Sequence, residues 1–264
     1  MPFEVTHPGP VEIAVAALLG AVIGSFLNVC ILRWGAEPKE SIVSPPSHCP
    51  CCGRGLAWYE NVPVLSWLLL RARCRGCGEP ISMIYPLIEL ATAAIWAYMA
   101  WRHGLTIEAI RGAGFGTILL GIAMTDARRY IIPDEFTWGG LAIGLLFSLA
   151  GGLPGLGTAL IGAAVGFGLL WLVGTVGTWV FKEDAMGGGD VKMMAMVGAF
   201  VGWQGVLLTI FLGALVGSLV FVPLLLLGQK KLVPFGIFLA IGAAVAYEAG
   251  PTIIGWYARY LTGA

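Results

Sequence analysis

Long apolar runs repeat along almost the whole chain, and they constrain the fold more than any other feature. A helix needs about 20 apolar residues to cross the hydrocarbon core of a bilayer, because each residue adds about 1.5 Å of rise. Residues 11–32 form the first such run. Others follow at 86–101, 107–125, 137–150, 156–181, 191–203, 205–227 and 234–250, the sixth being short. Inside a bilayer no water satisfies the backbone, so each crossing must close its own hydrogen bonds as a helix. The expected fold is an all-α polytopic membrane protein of about eight transmembrane helices.

Composition agrees. Of 264 residues, 58% are hydrophobic and only 11% charged, whereas soluble domains carry about 25% charged residues. An ordinary cytosolic enzyme is excluded. The 39 glycines suit helices whose backbones approach closely in lipid. The first run is too long, and too poor in preceding basic residues, for a cleaved signal peptide. Acids and bases balance at 15 each, so total charge points to no acidic partner, and nucleic acid is not expected. No internal repeat or low-complexity tail is evident.

Charge distribution predicts the topology. With eight spans and the N-terminus outside, the inner loops collect Arg33, Lys39, Arg54, Arg71, Arg73, Arg75, Arg128, Arg129, Lys182, Lys192, Lys230 and Lys231. Only Arg102, Arg111 and Arg259 of the 15 basic residues fall elsewhere. This is the imbalance of the positive-inside rule. It sets both termini outside and residues 33–85 in the cytoplasm. The domains expected are a first transmembrane helix (1–32), a cytoplasmic cysteine domain (33–85) and a transmembrane domain (86–264).

Five of the six cysteines lie in that cytoplasmic segment. Cys49/Cys52 and Cys74/Cys77 form two CxxC pairs separated by 21 residues, each followed by a glycine. Two such knuckles supply four thiolates to a tetrahedral zinc ion, which would fold a segment too small and polar for its own core. A reducing cytoplasm argues against disulfides. An iron–sulfur centre and plain structural cysteines are the alternatives, and Cys51 and His48 compete as ligands. Cys30, in the first run, reads as a small buried hydrophobe.

Ionisable groups at membrane depth are costly and become functional candidates. Asp126 ends the third run, just before Arg128-Arg129. Asp190 follows Gly187-Gly188-Gly189 and opens the sixth. The topology brings both to the cytoplasmic side, where two carboxylates could share a proton and activate water, as in aspartic proteases. The plainer readings are that Asp126 pairs with Arg128 or Arg129 and that Asp190 caps its helix. Asp134 reads as the N-cap of the fourth span. Glu89 reads either as support for the site or as the partner of a loop arginine.

At these residues the chain resembles the type IV prepilin peptidase family. The resemblance runs in order through Gly24-Ser25-Phe26-Leu27-Asn28 with Arg33, the cysteine segment with Asn61-Val62-Pro63, and Tyr85-Pro86 with Glu89. It continues through Asp126 with Ile132-Pro133-Asp134, then Gly187-Gly188-Gly189-Asp190-Val191-Lys192, then Pro234-Phe235-Gly236. Two departures are Ile237, where the family often has proline, and the additional Cys51.

The resemblance implies an aspartyl peptidase with Asp126 and Asp190 as its catalytic pair. It would remove the short basic leader of type IV prepilins or type II secretion pseudopilins after a glycine, at the cytoplasmic face of the bacterial inner membrane. It further implies N-methylation of the new N-terminus from S-adenosylmethionine, a structural Zn2+ on Cys49, Cys52, Cys74 and Cys77, and contact with the lipid bilayer. No residue is assigned to the methyl donor. The rival from another class is a small ion-coupled transporter or membrane scaffold carrying a structural zinc module.

Overall fold

The apolar runs fold as helices whose packing surfaces are made of glycine and other small residues, which lets backbones meet where lipid offers no hydrophobic drive. The computed structural model describes residues 8–36, 38–228 and 234–262; Lys230 and Lys231 lie outside the described residues. The helices are α1 (Pro10–Trp34), α2 (Leu65–Leu69), α3 (Ile84–His103), α4 (Ile107–Arg129), α5 (Asp134–Ser148), α6 (Gly152–Phe181), α7 (Gly188–Leu226) and α8 (Phe235–Thr262). No strand occurs among the described residues, only two isolated bridges.

Among the described residues six segments are long and apolar enough to cross a bilayer, and the eight runs fall on them because two segments are interrupted. Residues 134–181 contain a short 3-10 turn at Leu149–Gly151, and Gly152 leaves it at φ 68°. Within α7, Gly202 takes φ 70° and ψ 176°, a backbone region open essentially to glycine alone. The α7 segment before Gly202 is only about 20 Å long, too short to cross alone.

The chain divides into two compact units, with the boundary inside α4 between Thr117 and Ile118. In the first unit α1 lies on α3. A Cβ on Gly20 would sit 2.8 Å from the Thr92 carbonyl, and one on Gly24 would sit 2.8 Å from the Glu89 Cα. Asn28 Nδ2 donates to the Tyr85 carbonyl at 3.1 Å. Arg33 is buried at the end of α1 and donates to the carbonyls of Ser41 (2.6 Å) and Pro45 (2.5 Å), which pins the entry to the cysteine segment.

In the second unit the first half of α7 is the core. Residues 193–200 are all buried, so this half-helix is apolar on every side and enclosed by protein rather than lipid. Gly162 and Gly166 of α6 meet its backbone at Gly198 and Met194. Gly144 of α5 receives Phe200, and Gly242 of α8 abuts the Thr209 carbonyl on the second half. Outward positions such as Phe211, Leu219 and Trp256 are more than 60% exposed, the surface expected of helices solvated by acyl chains. The chain is thus a multi-pass membrane protein.

Candidate functional site

In the cysteine segment the two CxxC pairs fold into matching knuckles. Cys49 N–H donates to the Arg54 carbonyl and Gly53 N–H to the Cys49 carbonyl, both at 2.9 Å. Cys74 N–H to the Glu79 carbonyl (2.8 Å) and Gly78 N–H to the Cys74 carbonyl (2.9 Å) repeat the pattern. Gly53 and Gly78 sit at φ 69° and 75°, the left-handed turn that glycine enters without strain. The knuckles are a structural repeat that the loop sequences, unlike one another outside Cys and Gly, conceal.

The knuckles face each other. Sγ atoms of Cys49, Cys52, Cys74 and Cys77 all lie within 4.8 Å of one another, and Cys49 Sγ is 3.9 Å from Cys77 Sγ. A tetrahedral ion with 2.3 Å bonds to sulfur needs edges of about 3.8 Å, so this donor set fits a metal. Backbone N–H groups of Cys77 and Gly76 point at Cys74 Sγ and bring its thiol down to about 6, favouring the thiolate that a metal requires. Cys51 is exposed and outside the cluster. His48 instead turns its Nδ1 to the Pro46 carbonyl at 3.0 Å. Cys30 is buried in α1.

Polar pins replace a hydrophobic core around the cluster. Arg54 Nη2 meets Glu60 Oε1 at 2.5 Å, while Ala57 N–H donates to Glu60 Oε2 at 2.9 Å. The Ala57 N–H and the Arg54 guanidinium hold the Glu60 carboxyl below the usual carboxylate range. Glu60 carried little signal in the sequence beyond being the one acid between Arg54 and Arg71. Glu89, buried in α3, accepts from the Val64 N–H at 2.7 Å and so pairs with backbone, not with an arginine. Val64 has φ 61° and ψ −49°, and Leu65 N–H donates to the Pro63 carbonyl across it. This is a γ-turn that a β-branched residue enters only under strain.

The second unit holds the aspartates on different helices, in the last turn of α4 and the first turn of α7. Asp126 is buried, and its Oδ2 accepts from the Ile237 N–H at 3.2 Å, with the Gly236 N–H directed at the same carboxylate. Its partner is therefore the N-terminus of α8, where unpaired N–H groups and the helix dipole favour a carboxylate. Arg128 and Arg129 are exposed, and the pairing considered for them is not what holds Asp126. The departure at Ile237 matters here, since a proline would have no N–H to give.

Asp190 lies in the first turn of α7, whose N-cap position is Gly187. No side-chain cap bond forms, so the capping reading also fails. Its Oδ1 is buried without a hydrogen-bond partner, and its carboxylate feels the charge of Asp126. Ile132, in the link from α4 to α5, touches both neighbourhoods. A Cβ on Gly189 would lie 2.9 Å from Ile132 Cβ, and one on Gly236 would lie 2.9 Å from Ile132 Cδ1 and 2.8 Å from Asp126 Oδ2. Gly236 makes room for the Asp126 carboxylate, and both glycines make room for Ile132.

One expectation is corrected. Asp134 is the first residue of α5, after Pro133 at the N-cap position, and does not cap its helix. Its Oδ1 receives Lys192 Nζ at 2.7 Å, tying the start of α5 to the first turn of α7 beside Asp190. That pair was legible only as two charges flanking the two aspartate motifs.

Comparisons with known proteins bear on both halves. Residues 18–103 match the bacterial peptidase A24 N-terminal domain, and residues 113–222 match the type IV leader peptidase family. A prepilin leader peptidase/N-methyltransferase of Myxococcus xanthus is 41% identical over 83% of this chain, a match spanning 64% of that relative's length. Proteins of the same description from Aeromonas hydrophila and Pseudomonas aeruginosa are each 36% identical, over 96% and 92% of this chain and 97% and 92% of their own lengths. No solved structure matches. With relatives matched across nearly their whole length and both domains recognised in order, the chain belongs to the type IV leader peptidase family.

Proposed function

We propose that the chain is a membrane aspartyl peptidase and N-methyltransferase that processes type IV prepilins or type II secretion pseudopilins. It cleaves their short basic leader after a glycine and methylates the new N-terminus. What supports the peptidase reading is that Asp190, its Oδ1 buried and unpartnered, lies near enough to Asp126 to feel its charge. Peptidase names among the relatives support the same reaction.

Asp126 and Asp190 share one proton in this mechanism. The ionised carboxylate draws a proton from water, while the protonated one hydrogen-bonds the scissile carbonyl oxygen. As the tetrahedral intermediate collapses, the proton passes to the leaving amine and the pair returns to its starting state. N–H groups at the start of α8 fix Asp126, so Asp190, with a free oxygen, is the partner placed to meet water or substrate. The substrate's apolar helix lies alongside the spans and presents its leader junction to the site.

Cys49, Cys52, Cys74 and Cys77 hold a structural zinc ion. Four thiolates leave it no open position, so the metal supplies folding of the module and no chemistry on the peptide. Methylation of the new N-terminus would draw its methyl group from S-adenosylmethionine. The chain crosses the inner membrane several times with its N-terminus outside, and the cysteine module (33–85) and the aspartates of the transmembrane domain (86–264) face the cytoplasm.

The test incubates the purified full chain with a leader-bearing prepilin, with and without S-adenosylmethionine, and weighs the products. The expected result is a mass loss equal to the leader, absent for Asp126→Asn and Asp190→Asn, and a gain of one methyl when the donor is present. A folded, metal-loaded chain that leaves the prepilin intact overturns the peptidase reading.

A further inference from the structure

The short helix α2 presents an unexpected face. Leu65, Leu68 and Leu69 follow i, i+3, i+4 spacing, which lines up one side of a helix. All three point outward, at 52%, 58% and 74% exposure. The other face is pinned inward: Ser66 Oγ donates to the Val62 carbonyl at 2.7 Å, and Trp67 Nε1 to the Ile81 carbonyl at 3.0 Å. The leucines are thus held out by hydrogen bonds on the opposite side. Just beyond them come the exposed Arg71 and Arg73.

Position within the unit gives this face its occupant. Ile81, which accepts from Trp67, also donates its N–H to the Ala72 carbonyl at 2.7 Å, three residues before the spanning helix α3 begins. At its other end α2 is tied more firmly still. Val64, the residue before it, is bound by Glu89 from the second turn of α3. Both ends of α2 are therefore anchored to the entry of a membrane span. Over the same turns α3 exposes Leu87 and Leu90.

We propose that the leucine face of α2 enters the interface of the bilayer, with Arg71 and Arg73 on anionic lipid headgroups, and so seats the cysteine module against the membrane surface. An apolar face flanked by arginines at this depth has the chemistry of an interfacial helix: side chains enter the acyl boundary while guanidinium groups meet phosphates. Glu89 and the strained turn at Val64 set its height, because they fix the start of α2 to a residue that is itself inside a span. The inference does not depend on the peptidase reading.

The test uses the full chain in lipid nanodiscs containing a lipid with a photoactivatable acyl chain, followed by mapping of labelled peptides. In the unsubstituted chain, label is expected on residues 65–69 as well as on the spans, and not on the knuckles at 49–55 and 74–80. Arg71→Gln with Arg73→Gln should lower the α2 label several-fold in anionic discs and leave it unchanged in zwitterionic ones. Label confined to the spans, or a leucine face that cross-links to a second protein chain instead, overturns the proposal. Equal labelling of the arginine variant in anionic discs removes the headgroup contact.

Discussion

The cysteine module and the aspartate site are built on opposite plans. In the module, ligands come from two short knuckles whose geometry each sets locally, through one glycine and two backbone hydrogen bonds. Only the docking of one knuckle on the other is long-range. At the aspartate site nothing is local. Asp126 ends α4, Asp190 begins α7, and the N–H groups that hold Asp126 come from α8, 111 residues further on. Nature can build a metal site from spacing, but a pair of carboxylates at membrane depth needs the whole second unit to hold it.

The largest effects should show that difference most sharply. Asp126→Asn and Asp190→Asn remove the groups proposed to exchange protons with the reacting atoms, and each should lower leader cleavage by roughly 10²–10⁴-fold. The double variant should be little worse than either single one, because groups that act as a unit are not additive. Rates measured on prepilin, with helical content as the control for folding, check both statements. Additive losses would break the shared-proton reading.

Cys74→Ser tests the other plan. It removes one of the four proposed ligands, and metal binding in such modules is coupled to folding. Residues 48–80 should lose protease resistance and the chain its one equivalent of metal, while the spans of the second unit stay folded. Limited proteolysis and metal analysis read the outcome. A module that keeps its protection without metal would mean that Arg54–Glu60 and the other polar pins suffice.

Sequence made the module more legible than the site for the same reason. Two CxxC pairs with following glycines announce both the candidate ligands and the turns, while spacing leaves Cys51 and His48 as competitors; the folded segment gathers Cys49, Cys52, Cys74 and Cys77 within 4.8 Å of one another. For the aspartates, motif resemblance and membrane depth singled out the two residues but could not supply their partners. Whether Asp126 met an arginine or a helix end depended on where α8 begins. Asp134 shows the same limit: a Pro-Asp pair at a helix start reads locally as a cap, yet a lysine 58 positions away takes the carboxylate. The helical fold was legible because apolar length is a local property. The break at Gly202 was not, since glycine is common throughout these helices and only packing selects which one leaves the helical region.

Intermediate effects should come from residues that position the aspartates. Gly236→Ala places a methyl group 2.8 Å from Asp126 Oδ2 and 2.9 Å from Ile132 Cδ1. The carboxylate end can swing away, so stability should change little. A displacement of that size at a reacting group, however, lowers rate by up to about 10²-fold. Cleavage kinetics alongside thermal unfolding separate the two.

The Asp134–Lys192 pair should matter less. Its side chains are 48% and 34% exposed, so its loss should cost under about 1 kcal/mol of stability. Yet it ties α5 to the turn that carries Asp190, so Lys192→Met should slow cleavage by up to about tenfold through misplacement. Exchanging the charges, Asp134→Lys with Lys192→Asp, should restore most of the rate. Failure of the exchange would mean that Lys192 acts by something other than holding that turn.

The smallest change sharpens the account of Asp126 itself. Ile237→Pro deletes the N–H that donates to Oδ2 at 3.2 Å. Proline is well tolerated in the first turn of a helix, where its missing N–H breaks no intrahelical bond, so α8 should form unchanged. The Gly236 N–H still faces the carboxylate. At 3.2 Å this bond sits at the weak end of the about 1.5–3 kcal/mol that bonds to charged groups contribute, and the dipole of α8 persists without it. Cleavage should therefore fall by no more than about tenfold, against the far larger loss for Asp126→Asn. A loss as large as that of the asparagine variant would show that the single N–H, and not the helix end as a whole, holds the carboxylate. An unchanged rate would assign that task to Gly236 and the helix dipole.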